Sequence, residues 1–255
     1  MAAAEPRAEA IAFDGVTYTV AGVDILRGIT MSIATGERVA LLGRSGAGKT
    51  TLLRAVNALT LPTGGEVRVL GRRLSDWNLL ELRRHCGYVL QDGGLFPHMT
   101  CEENVRLPLR IEGMPDAEQE KRAAEVFAMV GLEMKEFGGR RPRQLSGGQR
   151  QRVGVARALA ANTPILLMDE PFGALDPLTR NEMQELMEKL FREFSETVVM
   201  VTHDLNEALR LATRIVLMDK GKVAVDLATR EFTKSRGPIV EQYLRAFQRS
   251  PEATA

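Results

Sequence analysis

The sequence predicts an α/β fold: a core built on a parallel sheet, an antiparallel β region near the N-terminus and an inserted helical subdomain. Three observations carry this. Short apolar runs of strand length stand at 38–43, 86–91, 164–171 and 197–203, which is how strands buried on both faces read. Residues 92 to about 160 hold helical periodicity and no convincing strand. Residues 11–40 alternate apolar and polar positions, punctuated by Gly15, Gly22, Gly28 and Gly36, as antiparallel strands do.

The elements follow in order. "RVALLG" (38–43) is a buried strand, and "KTTLLRAVNAL" (49–59) a helix with Leu52, Leu53, Val56 and Leu59 on one face. "TGGEVRVLG" (63–71) is a turn and strand, 75–86 a helix, and "CGYVLQ" (86–91) a strand. "EENVRLPLR", "DAEQEKRAAEVFAMVGL" and "GQRQRVGVARALAA" are helical. "PILLMDEP" (164–171), "TVVMVTH" (197–203) and "RIVLMDKGKVAVD" (214–226) read as strands, with a helix at 177–194. The polar stretch 231–255 reads as one short helix and a frayed end. One domain thus spans 11–230, its core at about 11–91 and 162–230 and its helical subdomain at about 92–161, followed by a tail at 231–255.

Composition narrows the function. The chain has 255 residues, enough for one large domain with a sizeable core. Its formal net charge of +1 supplies no global field for nucleic acid. Its longest apolar runs fall far short of the ~20 residues a membrane helix needs. "MAAAEPRAEA" lacks a basic region followed by an apolar one, so no secretion signal is expected. Cys86 and Cys101, without metal-type spacing, fit structural thiols of a reducing cytosol.

The chemistry sits in a few loops. Gly43-Arg44-Ser45-Gly46-Ala47-Gly48-Lys49-Thr50, followed by Thr51, fits a phosphate loop at every fixed position, with a strand before it and a helix after it. Backbone N–H groups and the helix dipole face the phosphates. Lys49 reaches the β- and γ-phosphates, and the Thr50 hydroxyl holds Mg²⁺. Asp169 and Glu170 end an apolar strand at the sheet edge where ligands sit. Asp169 suits Mg²⁺, directly or through water; Glu170 suits a general base. His203 ends another strand at the same edge and is placed to orient Glu170 or the attacking water. Gln91 ends a third strand, its amide near Mg²⁺ and the water. A helix-terminal acidic pair, a lone surface histidine and a surface glutamine are the plain alternatives.

"RQLSGGQRQR" (143–152) is a second glycine-rich loop at a helix N-terminus, without a lysine. The Ser146 hydroxyl and the N–H groups of Gly147 and Gly148 are donors for a γ-phosphate whose other face is already compensated. This loop lies in the helical insert, far from the chain's own phosphate loop. Two copies arranged head to tail would each lend one half of each site. The plain alternative is a helix capped by Ser146 that binds nothing.

Taken together these residues resemble the ATP-binding-cassette (ABC) ATPases, built on a P-loop NTPase (RecA-like) core. "GRSGAGKT" resembles Walker A, Gln91 the Q-loop, "LSGGQ" with Gln149 the signature motif, "ILLMDE" Walker B, "ALD" (174–176) the D-loop and His203 the switch histidine. The resemblance covers about 11–230. It implies an ATPase that uses ATP and Mg²⁺, pairs as a homodimer or with another cassette, and drives a membrane permease. Such a subunit is cytoplasmic and peripheral on the inner face of the plasma membrane. "LELRRHCGYVLQDGGLFPHMTCEEN" (80–104) and "RALAANTPILLMDEPFGALDPLTR" (157–180) are similar to the importers of glycine betaine, choline, carnitine or proline. This implies a quaternary-amine osmoprotectant as cargo and, indirectly, a substrate-binding protein as partner. The loop "DGGLFPHMTCEEN", with Leu95, Phe96 and Met99 expected exposed, is the expected permease contact. Family members often stack adenine on an aromatic residue where this chain has Val20; Tyr18 is nearby, and the two are the candidates for contact with the base. An ATPase of lipid traffic is the alternative function. A soluble repair or translation cassette and a small-molecule kinase fit less well: the first usually carries paired cassettes or coiled coils, and the second has no use for "LSGGQ".

Overall fold

Four strands of the central sheet alternate cleanly between two apolar cores. Val39, Leu41, Ile165, Leu167, Val199, Val201, Val216 and Met218 face one core. Ala40, Leu42, Leu166, Met168, Val198, Met200, Ile215 and Leu217 face the other. Side chains of a strand alternate between faces, so a run that is apolar at every position must be covered on both sides. The structure, a computed structural model, describes residues 8–248.

β1 (Glu9–Val20) and β2 (Val23–Ala34) form a long antiparallel hairpin. β4 (Gly64–Val69) pairs with β1, and the short β5 (Arg72–Arg73) completes a sheet of order β2-β1-β4-β5. The second sheet holds β3 (Arg38–Leu42), β6 (Cys86–Val89), β7 (Ile165–Asp169), β8 (Thr197–Thr202), β9 (Arg214–Asp219) and β10 (Lys222–Ala228) in the order β10-β9-β3-β8-β7-β6. All its pairings are parallel except β9–β10. α1 (Lys49–Val56) lies between the two sheets, burying Leu52, Leu53 and Val56.

The opposite face carries the helices. α3 (Cys101–Ile111), α4 (Asp116–Met129), the single turn α5 (Met134–Phe137) and α6 (Gly147–Ala160) pack on one another. α7 (Pro177–Glu193) and α8 (Leu205–Leu211) continue the same core. No helix of the described residues is long and apolar enough to cross a membrane.

Several sequence expectations are corrected. Residues 214–226 are not one strand: Lys220, with φ 46°, and Gly221 turn β9 into β10. The helix from Lys49 stops at Val56, and Leu59, expected on its apolar face, is 51% exposed. The expected helix at 75–86 is a 3₁₀ turn at Leu74–Asp76 and a short α2 (Leu79–Arg84), capped by the Asn78 side chain. α8 has seven residues, two turns, too few for periodicity to single out. The tail holds two helices, α9 (Thr229–Phe232) and α10 (Pro238–Gln248), and Phe232 and Val240 are buried in the core. The frayed end expected after 248 and the opening stretch before residue 8 lie outside the described residues.

Candidate functional site

The strand ends converge because the register makes them. β3, β7 and β8 run parallel, with Asp169 opposite Val201 and Leu42 opposite Thr202. Their C-terminal connections therefore open on one edge: 43–48 after β3, 170–176 after β7 and 203–204 after β8.

The loop after β3 returns into α1. At Gly43, φ is 154° and a Cβ would stand 2.4 Å from the Met218 carbonyl oxygen, so only glycine fits. No side chain caps α1. Its first N–H groups have no intrahelical acceptor and suit a phosphate. Lys49, 6% exposed, donates from Nζ to the carbonyls of Gly43 (2.8 Å) and Arg44 (3.0 Å). Burial pushes its ammonium below the ordinary lysine range, and Glu170 and Asp169 act against that.

Thr50 Oγ1 donates to Asp169 Oδ1 at 2.8 Å. Adjacent ligands of an octahedral Mg²⁺ with 2.0–2.1 Å bonds lie about 2.9 Å apart, so this oxygen pair fits one ion, directly or through water. The other oxygen, Oδ2, accepts from Tyr88 Oη (3.3 Å) and Arg54 Nη2 (3.4 Å). Neither Tyr88 nor Arg54 was singled out by sequence. Each occupies a strand or helix position that reads as ordinary packing or surface.

Glu170 takes the left-handed backbone conformation, φ 46°, and its N–H donates to the Val201 carbonyl. A non-glycine residue held there marks a turn that its surroundings impose. The turn swings the carboxylate out of the sheet, and its Oε2 lies 3.5 Å from His203 Nδ1. Gln91 reaches the same place from the far side. A Cβ at Gly173 would meet Gln91 Nε2 at 3.4 Å and Glu170 Oε2 at 3.6 Å, so the two groups flank Gly173. Lys49, Thr50, Asp169, Glu170, His203 and Gln91 are thus brought together.

One buried acid near this edge was also missed. Glu207, 4% exposed, accepts from Thr202 Oγ1 at 2.5 Å. Burial pushes it up to about 7. Its signal was a carboxylate on the apolar side of "LNEALRL", beside Ala208 and Leu211.

The "LSGG" loop is elsewhere. Ser146 caps α6, accepting from Gln149 N–H at 3.2 Å, while Gln149 Oε1 accepts from the Ser146 N–H at 2.9 Å. This capping box leaves the Ser146 O–H to donate. At Gly148 a Cβ would stand 2.3 Å from Thr179 Cγ2, so glycine lets α6 close against α7.

A separate apolar groove of about 530 Å³ lies beside the edge strand β6, with Leu80, Phe96, Pro108 and Ile111 among its walls. Phe96 is 43% exposed, but Leu95 and Met99, expected exposed, are half-buried. The buried Asn104 closes this loop, accepting from Phe96 N–H (2.8 Å) and donating to the carbonyls of Phe96 and Thr100 (3.1 and 2.9 Å). Val20 is 47% exposed, while Tyr18 is half-buried against the core between the sheets.

Comparison with known proteins gives the family and the fold. The family model "ABC transporter" matches residues 26–173. The glycine betaine/carnitine/choline transport ATP-binding protein OpuCA of Bacillus subtilis is 45% identical over 202 residues, 79% of this chain and 53% of OpuCA. The chain therefore spans about half the length of that relative. The glycine betaine uptake system ATP-binding protein YehX of Escherichia coli is 44% identical over 213 residues, 84% of this chain and 69% of YehX. Among solved structures, the ATP-binding cassette MJ0796, dimeric and bound to ADP and Pi after hydrolysis, superposes with a TM-score of 0.77 at 38% identity, over 86% of this chain and 99% of that one.

Proposed function

We propose that this chain, which belongs to the ABC transporter family, binds and hydrolyses ATP to drive import of a small solute through a membrane permease. The single observation that carries the catalytic part is the convergence of Lys49, Thr50, Asp169, Glu170, His203 and Gln91 on one sheet edge. Lys49 and the N–H groups of residues 43–51 bind the triphosphate. Thr50, Asp169 and Gln91 hold Mg²⁺, which when bound neutralises charge on the β- and γ-phosphates. Glu170 takes the proton of a water aimed at the γ-phosphorus. His203, 3.5 Å away, fixes the Glu170 carboxylate so that one oxygen faces that water.

Ser146 and the N–H groups of Gly147 and Gly148, with Gln149 behind them, serve the γ-phosphate of a second copy of the chain. The relative solved as a dimer supports this pairing. The same reading proposes a nucleotide-binding core at about 11–91 and 162–230, with the helical insert between. The groove at Phe96 is proposed to receive the permease, which keeps the chain on the cytoplasmic face of a membrane and links it indirectly to a substrate-binding protein.

For the cargo we favour a quaternary-amine osmoprotectant. The support is identity of 44–45% to proteins named for glycine betaine, carnitine and choline. Neither of those names points to a lipid, so the lipid-traffic alternative has no support there. The test is uptake: cells lacking this chain should lose high-osmolarity uptake of labelled glycine betaine or choline. Uptake unchanged in such cells would overturn the cargo assignment.

A further inference from the structure

Three polar groups, Thr50, Arg54 and Tyr88, meet at Asp169 by simple geometry. Tyr88 stands opposite Leu167 in the parallel β6–β7 pairing. Asp169 lies two residues beyond Leu167, so Tyr88 and Asp169 share a sheet face. That face is the one α1 covers, since Leu167 and the α1 residues Leu52 and Leu53 share a core. On α1, Thr50 and Arg54 are four residues apart and stand on one side of the helix. Helix side and sheet face therefore bring three donors to the one carboxylate in a fixed division: Thr50 on Oδ1 at 2.8 Å, and Tyr88 and Arg54 on Oδ2 at 3.3 and 3.4 Å.

A carboxylate anchored through one oxygen turns about its last torsion, which is broad and roughly two-fold. Donors from two different elements on Oδ2 stop that rotation and keep Oδ1 against Thr50. Arg54 is 45% exposed, so its charge is screened and the contribution is one of orientation. We propose that Tyr88 and Arg54 are positioning residues that hold the Asp169 carboxylate ready for a divalent cation. The inference rests on the reading that Asp169 and Thr50 hold Mg²⁺. Neither residue contacts nucleotide in that reading.

The test uses Mn²⁺ as the probe and the full chain loaded with ADP, at concentrations where all ADP is protein-bound, with free Mn²⁺ counted by electron paramagnetic resonance. Outer partners of metal ligands are typically worth 10–100-fold in affinity, and contacts of this length belong at the low end. Tyr88→Phe, which keeps the ring, and Arg54→Leu should each weaken Mn²⁺ binding about tenfold. ADP affinity measured in EDTA should change less than about twofold, a split that general loosening of the fold does not produce. Arg54→Lys should restore part of the loss. Mn²⁺ affinity within twofold of wild type in both Tyr88→Phe and Arg54→Leu would overturn the proposal. Asp169→Asn separates the two levels. If it weakens Mn²⁺ binding while the other two do not, the positioning role alone falls. If it leaves Mn²⁺ binding unchanged, the metal reading falls and the inference with it.

Discussion

His203 Nδ1 lies 3.5 Å from Glu170 Oε2, and the two residues come from adjacent parallel strands. The register accounts for the contact. Asp169 pairs with Val201, Glu170 bonds the Val201 carbonyl through its N–H, and His203 follows two residues later. Neither side chain is locked by burial; they are 64% and 32% exposed. Their placement therefore depends on backbone anchors, among them the Thr202 hydroxyl, which bonds Glu207 on one side and accepts from the Asp204 N–H on the other.

Glu207 predicts a pH-dependent stability. Burial pushes its pKa up from 4.5 to about 7; the Thr202 hydrogen bond and Arg180 act against this, and Asp204 and Glu170 add to it. Between those values the folded chain holds a proton that the unfolded chain has released. Stability contributed by this group is thus full below about 4.5 and falls as pH rises towards 7, by roughly 2–3 kcal/mol. Glu207→Gln should remove that slope, so urea melts at pH 5 and pH 8 should show the variant gaining on wild type at pH 8. Parallel profiles would show that Glu207 does not titrate there.

Phe96 predicts a recruitment defect. It is the exposed aromatic on the wall of an apolar groove, a shape that suits a short partner helix. Phe96→Asp should leave ATP binding in solution unchanged and abolish co-sedimentation with permease-containing membranes. Undiminished co-sedimentation would remove the groove as the docking surface.

Val20 predicts weak base selectivity. At its position an aromatic face would add roughly 1–3 kcal/mol of stacking, whereas an exposed valine offers only apolar contact. GTP should bind within about tenfold of ATP, a gap of roughly 1.4 kcal/mol. Val20→Tyr should tighten ATP, and Tyr18→Ala should chiefly lower stability, because Tyr18 packs on the core between the sheets. Loss of ATP affinity in a folded Tyr18→Ala protein would make Tyr18 the stacking residue.

Shared sites predict complementation. Lys49→Ala removes the phosphate-loop cation, and Ser146→Arg obstructs the second loop. A mixed pair holds one intact interface site and one doubly damaged one. Turnover should reappear on mixing two inactive preparations, peaking near equal amounts. Activity no greater than the sum of the parts at every ratio would contradict sharing in trans.

Contiguous features were legible in the sequence because one local backbone event makes each of them. The turn from β3 into α1 needs its glycines within a few residues, and Asp169, Glu170, His203 and Gln91 stand where apolar runs end. The residues missed owe their placement to tertiary register. Tyr88 and Arg54 meet Asp169 only because β6 pairs with β7 under α1. Glu207 carried a local signal, a carboxylate on the apolar side of "LNEALRL", but its burial comes from how α8 packs. The turn at Lys220 and Gly221 lies in the polar run 219–222, a hairpin signal that the strand reading of 214–226 passed over.

The most direct measurement is phosphate release by Glu170→Gln beside wild type, with size exclusion in ATP. The substitution removes the base and leaves Lys49, Thr50 and Asp169 in place. Turnover should fall by about 10²–10⁴-fold, nucleotide affinity should stay near wild type, and the variant should elute as an ATP-held dimer while wild type stays mostly monomeric. Turnover equal to wild type, with no ATP-held dimer, would contradict hydrolysis by Glu170 at a site closed by a second chain.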